Sequence, residues 1–132
     1  MSFKNTLIVF LLIIVIQPAK GQEIDSLKRT LTGKENSERV DILYELAFAY
    51  MDAKDPSSAG KYGLEGFELS KKMRDSSRMV KMGRVLAYAL RGLNKLDSSL
   101  AIMNFVLPIA EKRNDSLDVF YIYHGSRYRI YL

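Results

Sequence analysis

From residue 36 onward the apolar positions keep time with an α-helix. Val40, Leu43, Leu46, Ala47 and Tyr50 fall on one face of a 3.6-residue period. Asn36 or Ser37 is placed to cap that helix. Asp55-Pro56 then restarts the chain, with Asp as N-cap and Pro at the first helical position. The spacing predicts a second helix over 56–74, with Ala59, Tyr62, Leu69 and Met73 on its apolar face. A third follows over about 76–93 through Val80, Leu86, Ala87 and Leu90. Asn94-Lys95-Leu96 reads as a turn, Asp97 as a cap, and 98–113 as a helix with a stripe of Leu100, Met103, Leu107 and Ala110. Pro108 lies inside it, so a kink is expected there. Ile24, Leu27 and Leu31 suggest a short leading helix that ends near Gly33.

The pattern repeats. Ser70–Ser76 reads SKKMRDS and Ala110–Ser116 reads AEKRNDS, forty residues later. The same offset pairs Leu46-Ala47 with Leu86-Ala87, Phe48 with Tyr88, Tyr50 with Leu90 and Leu69 with Ile109. A fixed period of this size marks units that cannot bury their own apolar face and must stack on a neighbour. The units are 36–75, 76–115 and a partial 116–132, after a leading helix and linker over 22–35. In the last unit, an offset of 40 puts His124 at the place of Arg84, whereas an offset of 38 buries Tyr128; the sequence allows both.

These units resemble tetratricopeptide repeats. Leu43, Leu46, Ala47, Tyr50 and Ala59 match that family's pattern in the first unit, and Leu86, Ala87 and Ser99 match it in the second. The period is 40 rather than 34, and Trp and the terminal Pro are absent. With the leading segment described below, the IDSLKRTL stretch and the LPIAEK stretch, residues 24–132 look like the exported N-terminal region of Bacteroidetes-type tetratricopeptide sensor histidine kinases and related regulators. The resemblance implies an all-α solenoid of antiparallel helix hairpins, about two and a half repeats long. It also implies that the first helix of each hairpin lines a concave groove used for protein–protein interaction.

The N-terminus differs from the rest. Lys4 precedes the unbroken apolar run Leu7–Ile16, and Ala19-Lys20-Gly21 supplies small residues around a cleavage point before Gln22. This is the layout of a secretory signal over 1–21, and ten apolar residues fall short of the ~20 that span a bilayer. The expected location is therefore periplasmic or secreted, with membrane contact only through the export signal, or through an anchor if the chain belongs to a longer sensor. Of 20 Lys and Arg, the signal holds Lys4 and Lys20, leaving 18 against 15 acids. That modest surplus on an exported chain argues against a nucleic-acid partner. There is no Cys and one His, so neither thiolate chemistry nor a three- or four-donor metal site is expected; no cofactor is implied. GKYGLEGF, with Gly60, Gly63 and Gly66, lacks the Lys-Ser/Thr of a phosphate loop and reads as a close helix–helix approach.

Candidate binding residues lie on the first helices of the units. Tyr44, Phe48 and Met51 form a stripe that the forty-residue offset converts to Arg84, Tyr88 and Arg91. Around these, Arg74, Arg78, Lys81, Arg84, Arg91 and Lys95 place six cations along one face of a helix and its flanks. Like charges at three- and four-residue spacing repel unless anions meet them. The expected groove is Tyr44, Phe48, Lys81, Arg84, Tyr88 and Arg91, its partner a protein or an acidic peptide segment, and its function non-enzymatic. The competing expectation is a solvated face neutralised by nearby acids. The chain is thus expected to be the sensory part of a signalling protein. The alternative is a stand-alone adaptor that self-associates through an uncovered face of the third unit.

Overall fold

The computed structural model describes residues 19–127, all but the turns helical: α1 (Ala19–Leu31), α2 (Asn36–Asp52), α3 (Pro56–Lys72), α4 (Ser76–Gly92), α5 (Leu96–Lys112) and α6 (Ser116–Arg127). The expected export signal, 1–21, falls outside the described residues except for Ala19–Gly21, which open α1. The end of the third unit, 128–132, lies outside as well. Each helix packs on the next, and α4 also touches α2 and α6. No helix among the described residues is long and apolar enough to cross a membrane.

The regularity is finer than the forty-residue echo. Helices α2 to α6 start at 36, 56, 76, 96 and 116, twenty residues apart. The joints explain this. Lys54, Arg74, Asn94 and Asn114 all adopt positive φ, between 52° and 61°. After each, the next amide donates back into the finished helix: Asp55 to the Tyr50 carbonyl at 2.9 Å, Asp75 to Ser70 at 3.1 Å, Lys95 to Leu90 at 2.8 Å and Asp115 to Ala110 at 3.2 Å. This is the six-to-one bond that closes a helix whose C′ residue is left-handed. Three of the four joints then open the following helix with an Asp cap. Asp55 accepts from the Ser58 amide at 3.0 Å, Asp75 from Arg78 at 3.1 Å and Asp115 from Asp118 at 3.3 Å.

The fourth joint corrects an expectation. Helix α5 begins at Leu96 rather than 98, with Lys95 at the cap and no side-chain cap bond; Asp97 sits in the first turn. The left-handed Asn94 sets the start of the helix even where the cap side chain is wrong. Likewise α2 starts without a side-chain cap from Asn36 or Ser37; Glu35 occupies the cap position and Asn36 itself has φ 51°. Helix α5 continues through Pro108. The carbonyl that Pro108 leaves unbonded belongs to Asn104, which like Pro108 is exposed, so water can satisfy it.

The core is one continuous cluster. Leu43, Leu46, Val80, Met82, Val85, Met103, Val106 and Ile122 are almost wholly buried, each worth about 1.5–3 kcal/mol of burial. Ala59 and Ser99, equivalent on the offset of 40, are both buried where the second helix of each hairpin crosses the first; Ser99 Oγ donates to the Ala87 carbonyl at 2.7 Å. Between hairpins, the glycines act as expected. A Cβ on Gly63 would lie 3.4 Å from the Leu86 Cα, and one on Gly66 would overlap the Met82 side chain. The start of α6 at Ser116 and the burial of Ile122 in the place of Met82 follow the offset of 40; Tyr128, on which the offset of 38 turns, lies outside the described residues.

Candidate functional site

The first helices α2, α4 and α6 jointly line a cavity of about 650 Å³. Helix α2 contributes Phe48, Met51 and Asp52; α4 contributes Val85, Tyr88, Arg91 and Gly92; α6 contributes Phe120, Tyr121 and His124. The wall is mostly aromatic and aliphatic. Toward the start of α2 a smaller cavity of about 320 Å³ is lined by Val40, Asp41, Tyr44, Glu45, Arg78, Lys81 and Met82, and is more polar. Two compartments therefore run along the first-helix face, one apolar and one charged.

The expected residues divide between them. Phe48, Tyr88 and Arg91 line the larger cavity, and Tyr44 and Lys81 the smaller. Arg84 stands apart from both. The Tyr44 and Phe48 rings pack with centroids 5.0 Å apart, which makes one aromatic ledge across the two compartments. Lys81 Nζ sits 6.0 Å from the Tyr44 ring centre, and the Arg91 guanidinium 5.0 Å from that of Tyr88. Both cations are thus held on ring faces, oriented by the ring quadrupole. The Tyr88 hydroxyl donates a long bond of 3.5 Å to the Tyr121 carbonyl, joining α4 to α6. Burial pushes the Tyr88 hydroxyl up, against the pull of Arg84 and Arg91, so it remains a donor.

The stripe of six cations is not a row of bare charges. Arg78 grips Asp41 of α2 with two bonds, Nε to Oδ1 at 2.8 Å and Nη2 to Oδ2 at 2.7 Å, and holds the cap Asp75 with Nη1 at 2.7 Å. Arg84 is ion-paired with Asp118 of α6, both side chains largely buried, and its guanidinium lies 4.8 Å from the Tyr121 ring centre. Burial raises the Asp118 carboxyl above the ordinary carboxylate range, with Asp115 adding to the rise and Arg84 opposing it. Arg84 is therefore a strut between α4 and α6. Arg74 occupies a left-handed joint and Lys95 a cap position, and neither is among the residues lining the two cavities.

Sequence reasoning did not pair Arg78 with Asp41 or Arg84 with Asp118. The pairs are 37 and 34 residues apart, close to but off the repeat period, so the echo could not point to them. It also missed Phe120 and Tyr121 as lining, while the offset of 40 did bring His124 to the first-helix face. The same offset places Tyr121 with Lys81 and Phe120 with Val80. Among the described residues no group of three or more His, Cys, Asp or Glu could hold a metal ion. Compared with protein-family models, with curated proteins and with solved structures, the chain has no match in any of the three.

Proposed function

We propose that this chain is a non-enzymatic protein–protein interaction module of tetratricopeptide type, a short solenoid whose first helices hold an extended segment of another protein. We place it outside the cytoplasm, as the sensory or scaffold part of a signalling protein. The observation that carries the reading is the two-compartment face of α2, α4 and α6. It holds an aromatic-walled cavity and a more polar one, with Arg91 on the Tyr88 face in the first and Lys81 on the Tyr44 face in the second. Rigid rings supply contact area at low entropic cost, and the cations select acidic neighbours. A fitting segment carries one or two large apolar side chains for the larger cavity, with carboxylates beside them for Lys81 and Arg91. Arg84 takes no part in contact, because Asp118 already occupies it.

The test uses a fluorescein-labelled ten-residue peptide that alternates Asp and Glu with Phe and Leu, followed by fluorescence anisotropy. Saturable binding that weakens with salt is expected, at least tenfold weaker in K81E/R91E with helical circular dichroism retained. No saturable binding to the unmodified chain, or equal affinity in K81E/R91E, overturns the reading.

A further inference from the structure

The larger cavity draws rings from three helices. On α2, Phe48 lines it, 38% exposed and backed by the Tyr44 ring. On α6, the Phe120 ring stands edge-on to Tyr121, 5.6 Å away at 72°, and to His124, 5.3 Å away at 62°; all three line the cavity. Rings in such contact fix one another's tilt, so this wall is built and not three loose side chains. Tyr121 is fixed further by the Arg84 guanidinium, 4.8 Å from its ring centre and itself paired with Asp118. From α4, Tyr88 lines the cavity with the Arg91 guanidinium 5.0 Å from its ring centre. Phe120 and Tyr121 are about half exposed, so their rings have surface left to offer.

We infer that the larger cavity selects an aromatic side chain of the bound segment, and not apolar bulk in general, with Phe120, Tyr121 and Arg91 setting the choice. This rests on the proposed groove and names the anchor that enters it. Three features favour a ring. The first is the pair of ring walls. A ring placed between α2 and α6 meets aromatic partners edge-on or offset, an attraction beyond apolar burial that a saturated group of the same size does not gain. The second is Arg91. A guanidinium is planar and stacks on aromatic faces, so one that rests on Tyr88 can present its other side to a second ring. A saturated side chain would desolvate that cation and return nothing. The third is Asp52, which lines the same cavity and repels a carboxylate there. The acidic groups of the segment therefore stay at the rim, and the group that enters is uncharged. Val85 and Met51 complete the lining and accept any apolar group, so the discrimination falls to the rings and the guanidinium.

The probe is the labelled peptide of Asp, Glu, Phe and Leu in two versions, identical except that cyclohexylalanine replaces each Phe in the second. The cyclohexyl group keeps the size of the ring and is more apolar, but it has no π face. Anisotropy titrations of the unmodified chain should show the Phe version about tenfold tighter. In F120L/Y121L the ratio should fall below about threefold, while the cyclohexyl version binds as it does to the parent. R91M keeps a long stem beside Tyr88 without the cation; it should narrow the ratio too, and serves if the double variant loses helical dichroism. Equal or tighter binding of the cyclohexyl version overturns the inference and leaves the groove reading standing. A ratio undiminished in both variants overturns it as well, because the preference would then arise elsewhere. Saturable binding of neither version overturns the groove reading and the inference with it.

Discussion

The seam between α3 and α4 and the seam between α5 and α6 hold the same place in successive hairpins, yet they are built of opposite materials. On the first, α3 presents Gly60, Gly63 and Gly66, and the bulk comes from Met82, Leu86 and Ala89 of α4. On the second, the same positions of α5 are Leu100, Met103 and Val106, the last two buried, and α6 brings buried Ile122. Small against large brings two backbones into contact and leaves no slack. On the second seam both helices carry bulk, and Phe120 and Tyr121 of α6 stay about half exposed on the aromatic wall. The difference teaches that one repeat geometry can serve as a rigid joint at one seam and as a binding edge at the next.

The largest effect should come from making the first seam like the second. Gly63→Met, copying Met103, forces a long side chain against the Leu86 backbone and should cost about 3 kcal/mol, seen as a urea midpoint shift. The helical gain from removing a glycine, up to ~1 kcal/mol, is too small to offset it. A stability within about 1 kcal/mol of the parent would break the contrast between the seams.

Next comes the strut. Arg84→Ala leaves the largely buried Asp118 carboxylate without its partner and should cost about 1–3 kcal/mol. The loss should appear in amide hydrogen exchange of α6, with α2 and α3 unchanged. Uniform loosening of all helices would mean that α6 is as integral as the rest.

A smaller effect concerns acid. Hydrogen bonds to the Ser58 and Arg78 groups hold the Asp55 and Asp75 carboxyls below their ordinary values. A depressed folded pKa gives stability that is present above the unfolded value and lost as pH falls through the folded one. Both caps should therefore weaken below about pH 4. Asp118 acts with the opposite sign, because its raised carboxyl binds a proton more readily in the folded chain. Thermal melts of Asp75→Asn between pH 2 and 5 should show a shallower acid slope than the parent. An identical slope would remove Asp75 from the acid response.

The smallest effect repairs the odd joint. Lys95→Asp restores the cap found at the other three joints and should stabilise by about 0.5–1 kcal/mol. A loss of stability would show that Lys95 does something at this joint beyond occupying the cap.

Much of the fold was legible because helix period, caps and turns are local. Val40 to Tyr50 marked α2, Asp55-Pro56 marked the start of α3, and the SKKMRDS echo marked equivalent helix ends. The twenty-residue beat was present in Asp55, Asp75 and Asp115, but Lys95 interrupts it and Asp97 stood in as a false cap. Of the groove, the aromatic and cationic positions could be read because they lie on one helix face. Which cations were already neutralised could not, since Asp41 and Asp118 reach Arg78 and Arg84 across helices. Long-range pairing depends on how far successive hairpins rotate, and no local pattern encodes that.

The central claim is that α2, α4 and α6 together receive a segment of another protein. It is tested most directly by hydrogen exchange of the chain with and without saturating amounts of the acidic–aromatic peptide. Added protection is expected, centred on the helix turns carrying Phe48, Tyr88 and Tyr121, with α3 and α5 unchanged. Protection confined to α3 and α5, or none at saturating peptide, would contradict it.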